Sequence, residues 1–190
     1  MTKETTLYIK NMVCDRCVMA VDSTLRQQGQ LPLSVELGKA VVEGELTEAQ
    51  RETLREQLQK IGFELLDDRR QRTIEQIKTA VIKLVRYEHH SESLTLSEYL
   101  RSELHQDYSS LSKLFSEYAS KTIERYYMEQ RIERVKELLT YDEQTLSQIA
   151  MDMNYSSVAY LSSQFKTVTG MTPSQFKQLH GQKRKKIDEI

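Results

Sequence analysis

Apolar positions change their period partway along the chain. Near the start they alternate or recur in short stretches. Leu7-Tyr8-Ile9 has the two-residue period of a strand, and Val18, Val21 and Leu25 share one face of a helix starting near Cys17. Leu33, Val35 and Leu37 alternate strictly. Gly38-Lys39 then turns the chain into Ala40-Val41-Val42, which reads as a hairpin. Thr47-x-x-Gln50 is a capping box opening a helix whose apolar face carries Leu54, Leu58 and Ile61. Gly62 ends that helix, and Phe63-Glu64-Leu65 supplies a last strand. The order βαββαβ predicts a small ferredoxin-like sandwich.

Beyond residue 70 the period is helical. Ile74, Ile77, Val81, Leu84 and Val85 predict an amphipathic helix over 71–87. Next comes a repeat at an offset of 50 residues: Thr95-Leu96-Ser97-Glu98 matches Thr145-Leu146-Ser147-Gln148, both capping boxes. Leu111-Ser112 matches Leu161-Ser162, Phe115 matches Phe165, and Thr122 matches Thr172. Each copy reads as a short helix, a tight turn and a second helix, over 96–104 and 108–118, then over 146–153 and 157–168. That is a helix-turn-helix arrangement. Leu100 and Ala150 fall in the same slot, where limited bulk lets the two helices cross. Leu111, Leu114, Phe115, Leu161 and Phe165 are expected in the core. A longer helix over 122–140 joins the copies, with Ile123, Tyr127, Ile132, Val135, Leu138 and Leu139 on its apolar face. Gly170 closes the second copy. Thr172-Pro173-x-Gln175 caps a final helix anchored by Phe176, and Pro173 sits where a missing N–H costs nothing. The fold class expected is therefore α+β in the N-terminal part, a ferredoxin-like sandwich over 1–69, followed by an all-α double helix-turn-helix domain over 70–190.

Composition adjusts this picture. The chain has 190 residues, 38% hydrophobic and 29% charged, enough for one or two domains with cores. No apolar run approaches the roughly 20 residues that span a bilayer, and the polar start lacks a secretory signal, so no membrane partner and a cytoplasmic location are expected. The formal net charge of −1 advertises no nucleic-acid partner. Divided near Asp67-Asp68-Arg69-Arg70, however, the first segment carries 9 Lys+Arg against 12 Asp+Glu, and the second 18 against 16. A mildly basic half is hidden in the average. No nucleophile–base pairing, phosphate loop or paired carboxylates stand out, so an enzyme is not expected. The tail Lys183-Arg184-Lys185-Lys186 is either solvated or attracts phosphate, and His89-His90 read as solvated loop residues.

The two cysteines, Cys14 and Cys17, fall in the first strand-to-helix connection. There two sulfurs can converge while the helix N-terminus favours thiolate on the second. Soft thiolates select Cu(I) or Zn(II); two suit Cu(I), whereas Zn(II) wants further ligands. Residues 5–68, through Met12-x-Cys14-x-x-Cys17 and Ile61-Gly62-Phe63, resemble a heavy-metal-associated domain of the copper-chaperone type. The resemblance implies metal on Cys14 and Cys17 and a buried supporting role for Met12. Asn11 replaces a glycine usual in that family. Asp15 and Arg16 fill variable positions. They are solvated loop charges, unless Arg16 favours an anionic bis-thiolate and Asp15 adds an oxygen ligand.

Residues 72–180 resemble the DNA-binding domain of the arabinose-regulator (AraC) type. The resemblance rests on Arg131-Ile132-Glu133-Arg134-Val135-Lys136-Glu137-Leu138-Leu139, then Leu146-Ser147-Gln148-Ile149-Ala150. It continues through Tyr155-Ser156-Ser157-Val158-Ala159-Tyr160-Leu161-Ser162-Ser163-Gln164-Phe165-Lys166 and Thr169-Gly170-Met171-Thr172-Pro173. It implies two recognition helices for successive major grooves of double-stranded DNA, about 34 Å apart. It places Ser109, Ser112 and Lys113 at DNA-facing positions in the first. In the second it places Val158, Ala159, Tyr160, Ser162 and Ser163 there, with Lys166 on the backbone. Arg is common in the family where Ser163 stands, a basic residue where Glu117 stands, and glycine where Asn154 stands.

The expected function is a sequence-specific transcription regulator responsive to a soft metal ion at Cys14/Cys17. Partners beyond DNA would be a metallochaperone or a second copy of the chain. Two alternatives stay open: a metal-trafficking protein with a helical docking module, and a regulator switched by a dithiol/disulfide pair.

Overall fold

The computed structural model describes residues 3–87, 94–141 and 143–181; His89, His90 and the Lys183–Lys186 run lie outside the described residues. Strand β1 (Glu4–Lys10) alternates as its side chains require, with Leu7 and Ile9 buried and Tyr8 on the opposite face. It is central in a four-stranded antiparallel sheet ordered β2-β3-β1-β4, with β2 at Pro32–Glu36, β3 at Lys39–Glu43 and β4 at Glu64–Leu66. Leu7 stands across from Ala40 and Ile9 across from Leu65. Helix α1 (Asp15–Gln27) lies against β2 and α2 (Glu48–Lys60) against β4; the helices touch and bury Val21, Leu25, Leu54 and Leu58. The Thr47–Gln50 capping box opens α2.

Two apolar positions depart from the alternation and helix face expected of them. Leu33 is 52% exposed, because the β2–β3 register shifts between Pro32 and Ser34 on the edge strand. Ile61 is 47% exposed, because α2 ends at Lys60 and Ile61 follows it as the cap.

Helix α3 (Arg69–Arg86) begins against the sheet. Its Arg72 guanidinium lies 5.3 Å from the centre of the Tyr8 ring and Nε donates to the Leu66 carbonyl at 3.2 Å. Thr79 comes so close to the β2–β3 turn that a Cβ on Gly38 would sit 2.7 Å from its Oγ1. Gly38 also has φ +76, so both space and conformation require glycine there. The chain forms two compact units that do not divide at 69/70. One holds the chain up to Ala80 together with Leu100–Tyr118; the other holds Val81–Tyr99 and the chain from Ala119 onward. Because α3 is continuous from Arg69 to Arg86, the composition change near residue 69 marks the start of a helix and not the edge of a unit.

The remaining helices are α4 (Leu96–Leu104), α5 (Tyr108–Ala119), α6 (Ile123–Tyr141), α7 (Leu146–Asp152), α8 (Val158–Thr169) and α9 (Pro173–Gly181). The core of the second unit gathers Val85 from α3, Ile132, Val135 and Leu139 from α6, Ile149 and Ala150 from α7, and Leu161 and Phe165 from α8. Phe176 of α9 meets Phe165 edge to face at 5.5 Å. Most buried positions on these helices are spaced by three and four, as helical geometry dictates, whereas Leu84, Leu114 and Leu138, expected on apolar faces, are half-buried.

Candidate functional site

The Cys14–Cys17 loop is built by two local features. Asn11 adopts φ 73, in the left-handed region that asparagine tolerates better than most residues, and its Nδ2 donates to the Gly62 carbonyl at 2.9 Å. That bond ties the loop to the turn before β4, at the position where the resembled family carries glycine. Met12, two residues before Cys14, is buried, 3% exposed. Cys14 is the N-cap of α1 and Cys17 lies in its first turn, with the two sulfurs 3.5 Å apart and both thiols free of any disulfide. The neighbouring Asp15 and Arg16 are exposed. Among the described residues no third His, Cys, Asp or Glu joins the pair to make a three-ligand group. A two-sulfur donor set fits a two-coordinate soft ion; a four-coordinate Zn(II) would need ligands from elsewhere.

The helical half repeats in three dimensions as it does in sequence. Helices α5 and α8 are offset by 50 residues at both ends. Asp107 and Ser157, 50 apart, cap them: Asp107 accepts from the backbone N–H groups of Ser109 (3.0 Å) and Ser110 (3.3 Å), and Ser157 Oγ accepts from Tyr160 N–H at 3.1 Å. Ser120 (φ 54) and Gly170 (φ 80), again 50 apart, both leave their helices in the left-handed conformation. Thr122 and Thr172 then cap α6 and α9 through the N–H groups of Arg125 and Gln175. The opening boxes are equally matched: Thr95 and Glu98 exchange backbone-to-side-chain bonds at α4, as do Thr145 and Gln148 at α7.

On α5, Ser109 and Lys113 are exposed and Ser112 is half-buried. The Ser109 hydroxyl donates to Asp107, whose carboxyl these bonds hold below the usual range. On α8, Ala159, Tyr160, Ser163 and Lys166 are exposed and Ser162 is half-buried; Val158 is also half-buried and packs on the core. Glu117 of α5 is exposed.

Residues from outside α8 fix how it is presented. Arg131 of α6 stacks 3.8 Å from the centre of the Tyr155 ring and 5.5 Å from that of Tyr127. It donates to the carbonyls of Met153 and, at 3.3 Å, Asn154, in the turn between α7 and α8. Asn154 takes φ 51, in the left-handed region that asparagine tolerates better than most residues. Tyr155 is buried and stands edge-on to Tyr160 with ring centres 6.0 Å apart. Burial pushes its phenol up, against the opposing pull of Arg131. Gln164 Nε2 donates to the Tyr160 hydroxyl oxygen at 2.8 Å. Arg131, Tyr155 and Gln164 carry no site role in the sequence reading. The pair Arg131–Tyr155 is separated by 24 positions on different elements, so no periodicity couples them.

Residues 100–179 match a family model described as Helix-turn-helix domain. The similarity covers α5 to α8 and most of α4 and α9. An uncharacterized HTH-type transcriptional regulator of Staphylococcus aureus strain MSSA476 is 36% identical over 89 residues, 47% of this chain and 12% of that protein. The HTH-type transcriptional regulator ArgR of Pseudomonas aeruginosa is 29% identical over 63 residues, 33% of this chain and 19% of that protein. This chain thus spans under a fifth of the length of either relative. Among solved structures, a DNA-binding transcriptional dual regulator from Escherichia coli K-12 aligns with TM-score 0.49 and 24% identity, covering 56% of this chain and 94% of that one. An AraC-type regulator from Chromobacterium violaceum aligns with TM-score 0.48 and 22% identity, covering 57% and 95%. No described helix is long and apolar enough to cross a membrane.

Proposed function

We propose that this protein is a DNA-binding transcription regulator of the AraC type. Two helix-turn-helix units read double-stranded DNA, and an N-terminal ferredoxin-like unit of the heavy-metal-associated type senses a soft metal ion. The observation that carries the DNA-binding part is the helix-turn-helix match over residues 100–179, seated on a motif duplicated cap for cap at an offset of 50. Ser109, Ser112 and Lys113 on α5 and Ala159, Tyr160, Ser162, Ser163 and Lys166 on α8 are the DNA-facing groups, with Val158 contributing mainly through packing.

The sensing part rests on the thiol pair. Cys14 and Cys17 would hold Cu(I), or Zn(II) with ligands added from a metallochaperone or a second copy. The ion supplies a charge and a cross-link at the start of α1. It shifts the regulator between arrangements only if it binds them with different affinity. A second reading is favoured by the 3.5 Å separation of the sulfurs: oxidation of the two thiols by hydrogen peroxide to a disulfide, with two waters released.

The test measures DNA binding across genomic fragments with and without Cu(I) or Zn(II), using the native chain and a Cys14→Ser/Cys17→Ser variant. The expected result is salt-sensitive binding that metal alters only in the native chain. Binding indifferent to metal and to the substitutions removes the sensor; failure to bind any fragment at low salt removes the regulator. Peroxide sensitivity of metal-free protein separates the redox reading.

A further inference from the structure

The face that α8 offers is unusual for a helix meant to read bases. A recognition helix contacts base edges mainly through its N-terminal residues. Here the exposed residues of that first turn are Ala159 and Tyr160, with Tyr160 49% exposed. No Arg, Asn or Gln stands exposed on α8 to form a two-pronged bond with guanine or adenine. Gln164 is turned to the Tyr160 oxygen, and its Oε1 is buried. Ser157 Oγ is engaged as the cap, and Lys166 is the basic residue of this helix, two turns from its start.

Tyr160 is also held. Its ring stands against the edge of Tyr155, which is clamped by Arg131. Because its oxygen accepts from Gln164 Nε2, its own O–H is directed to donate elsewhere. An exposed methyl beside a fixed aromatic ring with an outward O–H donor matches one base edge in the major groove. Thymine alone pairs an O4 acceptor with a C5 methyl; cytosine puts a donor there and no methyl. We infer that the second recognition helix reads thymine, Ala159 and the Tyr160 ring covering the C5 methyl and the Tyr160 hydroxyl donating to O4. Arg131 and Tyr155 act as positioning residues for Tyr160. This rests on the DNA-binding reading above.

The experiment selects binding duplexes for the full chain from a random-sequence library at low salt. The enriched duplex is then titrated with each thymine in turn replaced by deoxyuridine, which removes only the methyl. At least one thymine is expected to lose about four-fold in affinity, the worth of burying one methyl-sized group. In a Tyr160→Ala variant, shown folded by circular dichroism, the same replacement should change affinity less than two-fold. An Arg131→Met variant should show a reduced deoxyuridine effect while still folded at the temperature of measurement, a readout that a purely stabilising role would leave alone. Replacements all within two-fold in the native chain overturn the inference while leaving DNA binding intact, as does an effect that survives Tyr160→Ala. If no duplex is enriched, the DNA-binding reading falls and this inference with it.

Discussion

Two asparagines show how a single residue fits its backbone. Asn11 and Asn154 both adopt positive φ, 73 and 51, at positions where the resemblances drawn from sequence imply glycine. Asparagine is among the few side chains that enter this region at modest cost, so the substitutions preserve the turns. In sequence they read as departures; only backbone conformation shows them as equivalents. Arg131 is the converse case, a residue whose role no local pattern announces. Arg131→Met removes charge-assisted bonds to two carbonyls and the stack on Tyr155. The expected loss is about 2 kcal/mol of stability, measured by denaturant unfolding. Glu137 gives a pH signature. Burial alone would raise its pKa, but bonds from Arg86 (2.6 Å) and Arg134 (2.9 Å) outweigh that and hold it below the ordinary glutamate value. A depressed folded-state pKa contributes stability above the unfolded value and loses it as pH falls through the folded one. Stability against pH should therefore be flatter on the acid side for Glu137→Gln than for the native chain.

At the scale of elements, the helix ends were the most legible feature. The boxes at Thr47–Gln50, Thr95–Glu98, Thr145–Gln148 and Thr172–Gln175 all form, because a hydroxyl and a side chain three residues later satisfy two orphan N–H groups wherever a helix begins. Ser157→Ala should cost about 1 kcal/mol in chemical denaturation through loss of the α8 cap. Gly170→Ala has open space for its Cβ but faces φ +80, and should cost a similar amount, roughly 1 kcal/mol, for conformational reasons alone. Strand faces were less legible. Leu33 alternates correctly in sequence yet is exposed, since a register shift at an edge strand is a property of the pair and not of one strand.

For the whole molecule, the net charge of −1 says little about a nucleic-acid partner, because charges act through the face that meets the ligand. Lys166 is the exposed basic residue of α8. Lys166→Ala should reduce the slope of log affinity against log salt by about 0.9, the signature of one lost phosphate contact, and should do so alike for different DNA sequences. The compact units tell a related lesson. Residues 100–118 belong with the sheet-bearing unit while 81–99 belong with the second, so the division falls inside α3 and α4 and not at the change in composition.

The sequence by itself determined the elements: where helices start and stop, the duplicated motif, and the proximity of two thiols three residues apart. All of these follow from interactions within a few positions or from a fixed period. Tertiary structure decided which exposed groups remain for a ligand. Val158 packs on the core, and the Tyr160 ring stands against Tyr155, which Arg131 stacks from another helix. Those outcomes depend on contacts between distant segments, which compete for the same side chains only once the chain has folded.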